Sequence, residues 1–351
     1  MKFRIVAILL LVATLLAACS TATPTSTPTS TSGAPTAGPT APTAQPTVAP
    51  TTTQKQEEEP VDLFGALFPV DGQIPKKREM ANIVKALKGQ AGLISEITYT
   101  WEAGRASMEV LAGRYDDYHE LVAPEESPLQ MVYGESEYYN YILYLPEGYD
   151  PADTEKKWPV IYFFHGYGKQ GDNLDVLLPE GPTRYIEKGG KLDAILIVPQ
   201  CPADSHWADD NREVTKLVKF VPEMTAKYNI DTDRMYLTGL SMGGRCTWKL
   251  ALAMPDTFAA IAVICGRTET YNFDTVQNMP IWMFHGALDD TVDFNNVNTI
   301  LTKLYEHEHR YYKVTAFPSA MHNIWHTVYD RPEVYDWLLN QSLTNNAEQA
   351  E

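Results

Sequence analysis

The sequence predicts an α/β fold: a doubly wound, mainly parallel sheet with helices on both faces and no large lid insertion. Three observations carry that expectation. Short apolar runs at 138–145, 160–164, 194–198, 235–238, 258–264, 281–284 and 311–317 alternate with helix-periodic segments at 211–228, 245–254, 294–308 and 332–341. Strands separated by helices imply crossover connections, which parallel strands require, and runs lacking polar alternation suit strands covered on both faces. The stretch between Cys265 and Pro280 is too short to hold an inserted cap.

At the N-terminus, residues 1–18 combine a basic start (Lys2, Arg4) with an apolar run that ends Leu16-Ala17-Ala18-Cys19. That is the pattern of a bacterial lipoprotein signal peptide, with Cys19 left as the lipidated N-terminus; an ordinary signal peptide with an incidental cysteine is the alternative. Either reading places the protein outside the cytoplasm, and the first makes it a lipid-anchored protein of the cell envelope or surface. Residues 19–59 begin with a stretch of Thr, Pro, Ala, Ser and Gly and close on Glu57-Glu58-Glu59. Such a segment buries too little apolar surface to fold and reads as an extended, disordered tether.

Residues 60–131 are less legible. An amphipathic helix suits 76–88, and a hairpin suits 94–101 with 107–111. We expect a small accessory region, either a separate domain or an extension packed on the catalytic domain, and assign it no chemistry. The catalytic domain is expected over 132–342, with its first strand pairing antiparallel at an edge, and a polar tail at 343–351 closes the chain.

The strand at 160–164 empties into His165-Gly166-Tyr167-Gly168. Such a turn can aim a backbone N–H, here that of Tyr167, at the oxygen of a bound acyl group. The next chemically informative string is Gly239-Leu240-Ser241-Met242-Gly243, set between a strand and a helix. A nucleophile elbow requires small residues around its serine because the turn is tight and strained. Ser241 is therefore the candidate nucleophile, and the Met242 N–H the second oxyanion donor. The strand at 281–284 leads into His285-Gly286-Ala287-Leu288-Asp289-Asp290, placing Asp289, Asp290 and Asp293 beyond its C-terminal end, where functional groups gather in open α/β sheets. The spacing favours Asp289, although the other two lie close enough to compete. His322, after the last strand, completes the chain order serine, acid, histidine. The aromatic residues His206, Trp207 and Trp325 are expected near the mouth of the site, where a packing role is the alternative.

Several ordered stretches, namely YILYLPEGYD, WPVIYFFHGYG, IVPQCP, YNIDTDRMYLTGLSMGG, PDTFAAIAVICG, PIWMFHGALDDTVDF and AMHNIWHTVYDRPEVYDWLLNQ, carry a resemblance between about residues 137 and 341. The chain resembles the α/β-hydrolase superfamily, close to the secreted esterases and predicted peptidases of the phospholipase/carboxylesterase and dienelactone-hydrolase-like group. The resemblance implies Ser241, Asp289 and His322 as the triad. Asp293 stands where such relatives usually carry proline.

The net charge of −17 argues against nucleic-acid binding, and leaves the lipid anchor as the only expected membrane attachment. Beyond Cys19, three cysteines remain, Cys201, Cys246 and Cys265, which allows at most one intramolecular disulfide. Cys201 and Cys246 are the preferred pair if one forms, and Cys265 reads as a core thiol. None has metal-ligand spacing along the chain, so no metal and no cofactor are expected. The expected activity is hydrolysis of carboxylic esters through an acyl-enzyme. Surface display suggests polymer-linked feruloyl or acetyl esters of polysaccharides. The alternatives are a serine peptidase on the same scaffold, or a surface-anchored binding module without turnover.

Overall fold

From Ile94 the chain forms a hairpin, β1 (Ile94–Glu102) and β2 (Arg105–Ala112), turning through Ala103 and Gly104 at φ of 46° and 78°. The computed structural model describes residues 94–112, 131–207 and 211–348. The signal at 1–18, Cys19, the tether at 19–59 and the helix expected at 76–88 lie outside the described residues. The remaining strands are β3 (Met131–Glu135), β4 (Asn140–Tyr144), β5 (Trp158–Phe164), β6 (Ile195–Pro199), β7 (Ile230–Leu240), β8 (Ala260–Ile264), β9 (Ile281–Gly286) and β10 (Tyr311–Phe317). Between them run the helices α1 (Gly181–Glu187), α2 (Asn211–Lys227), α3 (Met242–Ala253) and α4 (Asn295–Glu306), and after β10 come α5 (Trp325–Tyr329), α6 (Pro332–Leu339) and α7 (Leu343–Glu348).

The described strands form one sheet in the order β2-β1-β10-β9-β8-β7-β5-β6-β4-β3. Its centre, from β10 to β6, is parallel throughout. Antiparallel pairs close both sides, β1 with β10 and β4 with β6. The expected edge strand, β4, is thus antiparallel, but β3 lies outside it.

Side-chain alternation along β5 shows how the sheet is covered. Val160, Tyr162 and Phe164 belong to one core, and Ile161 and Phe163 to the other. Leu217 and Phe220 of α2, Trp248 of α3 and Ile300 of α4 pack into the first core. The second takes Tyr185 of α1, Tyr329 of α5 and Leu338 of α6. In α2 the buried Val214, Leu217, Val221 and Met224 recur every three or four residues, the stripe expected of a helix lying on a sheet.

Two segments of open role are packed against this fold. The hairpin at 94–112 continues the sheet, its Thr98 hydroxyl 2.9 Å from that of Thr315 on β10 and its Glu96 ion-paired with Arg331 at 2.7 Å. The hairpin is thus packed on the fold as an extension, one of the two alternatives expected for residues 60–131. The described part of the polar tail, residues 343–348, is docked as well. Residues 343–348 form α7, whose buried Asn346 donates through Nδ2 to the Ala259 carbonyl at 2.8 Å, while the Thr344 N–H donates to Asp233 at the same distance. A polar residue that caps backbone acceptors can dock as firmly as an apolar one.

Candidate active site

Ser241 stands between β7 and α3 with φ 52° and ψ −114°, a conformation that non-glycine residues rarely adopt. Such a residue costs about 1–3 kcal/mol and persists only where its surroundings over-determine it. Here the Ser241 N–H donates to the Ile264 carbonyl at 2.8 Å, and its own carbonyl accepts the Arg245 N–H at 3.0 Å. Space enforces the turn as well. A Cβ on Gly243 would sit 1.9 Å from the Phe164 carbonyl oxygen, so α3 can cross β5 this closely only through a glycine.

The acid and the histidine come from neighbouring strands. Gly286 ends β9 against the loop after β10, where a Cβ would meet the Met321 carbonyl oxygen at 2.1 Å. That contact, with the Leu288 N–H bonded to the Ala320 carbonyl at 2.9 Å, brings the Asp289 and His322 loops together. Asp289 Oδ1 accepts the N–H groups of Thr291 and Val292 at 2.9 and 2.8 Å. Its Oδ2 lies 2.7 Å from His322 Nδ1 and 3.1 Å from His285 Nε2. Burial works against ionisation of this carboxyl. The hydrogen bonds from His285, His322 and the Val292 N–H outweigh it and hold the group well below the usual carboxylate range.

An ionised carboxylate only accepts hydrogen bonds, so His322 Nδ1 carries the proton and Nε2 presents its lone pair. Nε2 lies 2.9 Å from Ser241 Oγ. The structure thus joins Ser241, His322 and Asp289 in one hydrogen-bonded line. Asp290 and Asp293 are exposed, and Asp293 instead accepts the Asn295 N–H at 2.8 Å at the start of α4. His285 and Cys265 also reach this centre, and neither was singled out for it from sequence. The Val292 carbonyl lies 2.7 Å from His285 Nε2, which fixes a proton on that nitrogen. The i to i+4 spacing of His285 and Asp289 was a signal available to sequence reading.

On the other side, Phe164 pairs with Gly239, so the loop after β5 leaves the sheet beside the elbow. His165 is fully buried there, and that burial lowers its pKa to about 4. As a neutral ring it donates through Nδ1 to the Gly166 carbonyl at 2.8 Å and accepts the Cys201 N–H at Nε2 at 3.0 Å, tying the ends of β5 and β6 together. Gln170 bridges the same loop to the helix start, accepting the Gly168 N–H at 2.7 Å and reaching the Met242 sulfur at 3.9 Å. The loop that carries Tyr167 therefore lies against the start of α3, where Met242 directly follows the serine.

The aromatic expectations divide. The Tyr167 side chain is exposed, with the half-buried His206 ring 6.3 Å away, and the half-buried Trp325 lies edge-on to His322 at 5.6 Å. Trp207, expected at the mouth, is completely buried against Tyr139, Phe164 and His165. Its loop turns inward, and the indole fills the first core. The preferred pairing of Cys201 with Cys246 is likewise absent, because Cys201, Cys246 and Cys265 are all free and buried. Burial pushes the Cys201 thiol up to about 12 and that of Cys246 well above its ordinary value, so both pack as small protonated hydrophobes.

Residues 203–336 match the dienelactone hydrolase family. The chain has the α/β-hydrolase fold. The chain is 32% identical over 129 residues to a probable feruloyl esterase C of Aspergillus terreus, a match that covers 36% of this chain and 46% of that protein. A bifunctional acetylxylan esterase/xylanase of Neocallimastix patriciarum is 25% identical over 164 residues, covering 46% of this chain and 24% of its relative. The chain thus spans about half the length, or less, of these curated relatives. A solved thermostable esterase superposes with a TM-score of 0.51 at 23% identity over 68% of each chain, a likeness of fold.

Proposed function

We propose that this chain is a serine carboxylic ester hydrolase acting through an acyl-enzyme. The observation that carries the reading is the hydrogen-bonded line from Ser241 through His322 to Asp289, set at a strained strand-to-helix turn. His322 Nε2 takes the Ser241 proton as Oγ attacks the ester carbonyl, then returns it to the departing alcohol. Asp289 holds the imidazole in the tautomer that can accept and stabilises the imidazolium that forms. The tetrahedral oxyanion sits between the N–H groups of Met242 and Tyr167, with the positive end of the α3 dipole behind it. Water then repeats the sequence on the acyl-enzyme. These steps call on no cofactor and no metal.

Esters of polysaccharides are the proposed substrate class, either feruloyl or acetyl. Two things support this: the names of the relatives above, and the exposed Tyr167, on the loop that meets the start of α3, and Met321, next to His322 in the chain, which offer apolar surface to a bulky acyl or sugar group. The N-terminal pattern at 1–18 and Cys19 supports an envelope enzyme anchored by lipid and acting outside the cytoplasm. The net charge of −17 speaks against a nucleic-acid partner. The test is a substrate panel of p-nitrophenyl acetate, methyl ferulate, acetylated xylan and peptide anilides, run with wild type and Ser241→Ala. Ester turnover should fall by about six orders of magnitude in the variant, the loss that comes with removal of a triad serine. Cleavage of peptide anilides with no action on any ester would replace this reading with a peptidase.

A further inference from the structure

Cys265 occupies an unusual place. It directly follows β8 with φ 47°, a left-handed backbone in a non-glycine residue, and its N–H is fixed to the Phe284 carbonyl at 2.8 Å. Its thiol turns toward the acid and the histidine and lies 3.1 Å from the His322 carbonyl. Burial raises the thiol pKa well above its ordinary value, and the negative charge of Asp289 raises it further. The acyl-enzyme mechanism makes no use of it.

We propose that Cys265, Asp289 and His322 form a binding site for a zinc-like divalent cation, and that occupancy switches the hydrolase off. Thiol sulfur, carboxylate oxygen and imidazole nitrogen, one atom from each, lie within 4.8 Å of one another. A tetrahedral zinc with ligands at about 2.0–2.3 Å needs donor separations of about 3.3–3.8 Å. The site reaches that by opening the 2.7 Å contact between His322 and Asp289 and drawing the thiol inward. Sulfur and imidazole donors select Zn²⁺ or Cd²⁺ over Mg²⁺ or Ca²⁺, which take oxygen. Charge also balances. A thiolate beside Asp289 is unfavourable alone, whereas thiolate, carboxylate and a divalent cation together are neutral, the state that a buried pocket accepts.

The binding step is a proton exchange without redox change. The cation forms its bond to Cys265 sulfur as the thiol proton leaves to solvent. His322 stays neutral but must give its Nδ1 lone pair to the metal, so its proton moves to Nε2. With Nε2 protonated, the ring can no longer accept the Ser241 proton. Inhibition thus arises from the tautomer, with the serine uncovered. This consequence rests on the hydrolase reading, whereas binding itself does not.

The experiment titrates the purified full chain with Co²⁺, watching the near-ultraviolet thiolate-to-cobalt band, and separately with Zn²⁺, watching ester turnover. Wild type should show the band, Cys201→Ala and Cys246→Ala should keep it, and Cys265→Ala and Cys265→Ser should lose it. The half-inhibitory Zn²⁺ concentration should rise by at least about 10- to 100-fold in both Cys265 variants, since even loss of a ligand's supporting partner weakens metal sites that much. Each variant is compared with its own metal-free rate, and circular dichroism shows whether it is folded. The serine variant retains a hydroxyl donor for the His322 carbonyl should the alanine variant not fold. A wild type without the band, a band that survives loss of Cys265, or unchanged zinc sensitivity in a folded Cys265 variant would overturn the site. A chain that turns over no ester in the absence of metal would sink the hydrolase reading, and the cobalt band alone would then decide the metal site.

Discussion

Replacing Asp289 by Asn tests the site at the point where its hydrogen bonds are most fully specified. Oδ1 accepts two backbone N–H groups, from Thr291 and Val292, so the amide oxygen of Asn must take that position. The amide NH₂ then falls where Oδ2 lay, facing His285 Nε2 and His322 Nδ1. His285 cannot give way, because the Val292 carbonyl keeps its Nε2 protonated. His322 can, by moving its proton to Nε2 and accepting from the amide. That leaves no lone pair facing Ser241. The expected loss is about 10⁴ in kcat, or roughly 5.4 kcal/mol of transition-state stabilisation. Ordinary crowding is unchanged, since Asn is isosteric. Stability carries a second signature. The folded carboxyl ionises below its unfolded value, so its contribution is fully present above about pH 4 and fades as pH falls below that. The acid limb of the unfolding curve should therefore be shallower in Asp289→Asn than in wild type. Steady-state kinetics with p-nitrophenyl acetate and denaturant melts between pH 3 and pH 7, run beside Asp290→Asn, provide the comparison. An Asp289→Asn enzyme that keeps more than about 1% of wild-type kcat, against an expected loss of roughly 10⁴, would refute the reasoning. So would an Asp290→Asn variant that loses more.

Three further outcomes are expected. Gly243→Ala places a methyl group against the Phe164 backbone, which has no flexible end to yield, so it should cost more than about 3 kcal/mol or prevent folding, read from denaturant melts. His285→Leu removes the donor shared by Asp289 and the Val292 carbonyl and should lower kcat about 10- to 100-fold with little change in KM, while His285→Gln, which can still donate, should recover part of the loss; equal kcat in all three proteins would exclude a positioning role. Cys19→Ser should abolish fatty-acid probe labelling and membrane partitioning in a bacterial host, and labelling that survives would place the attachment elsewhere.

The elements most legible in the sequence were those whose cause is local. Seven apolar runs lie on strands, because side chains covered on both faces leave an uninterrupted signature, and the elbow showed itself through the small residues its crossing demands. The spacing that favoured Asp289 over Asp290 and Asp293 agrees with the hydrogen bond to His322. What stayed hidden depends on meetings between distant segments. Cys265 and His322 are 57 positions apart, and only the stacking of β8, β9 and β10 brings the thiol to the histidine loop. Trp207 was misplaced because an aromatic beside a histidine in a loop has the same composition at a mouth as in a core, and the direction of the loop decides. The hairpin could be read from its two strands, but its pairing with β10, some 200 residues later, could not.

That pairing bears on where this protein can be cut. A version trimmed to begin at residue 132 would look like a complete catalytic unit by its motifs, yet it would strip β1 from β10 and leave a row of unpaired backbone groups on a strand whose Tyr312, Val314 and Phe317 are almost wholly apolar and buried. Naked strands of this kind recruit one another and aggregate. Residues 94–112, unassigned to any chemistry, therefore cover an edge that would otherwise be open to self-association. Truncations intended to isolate the fold that carries Ser241, Asp289 and His322 should keep residues 94–112 or expect insoluble protein.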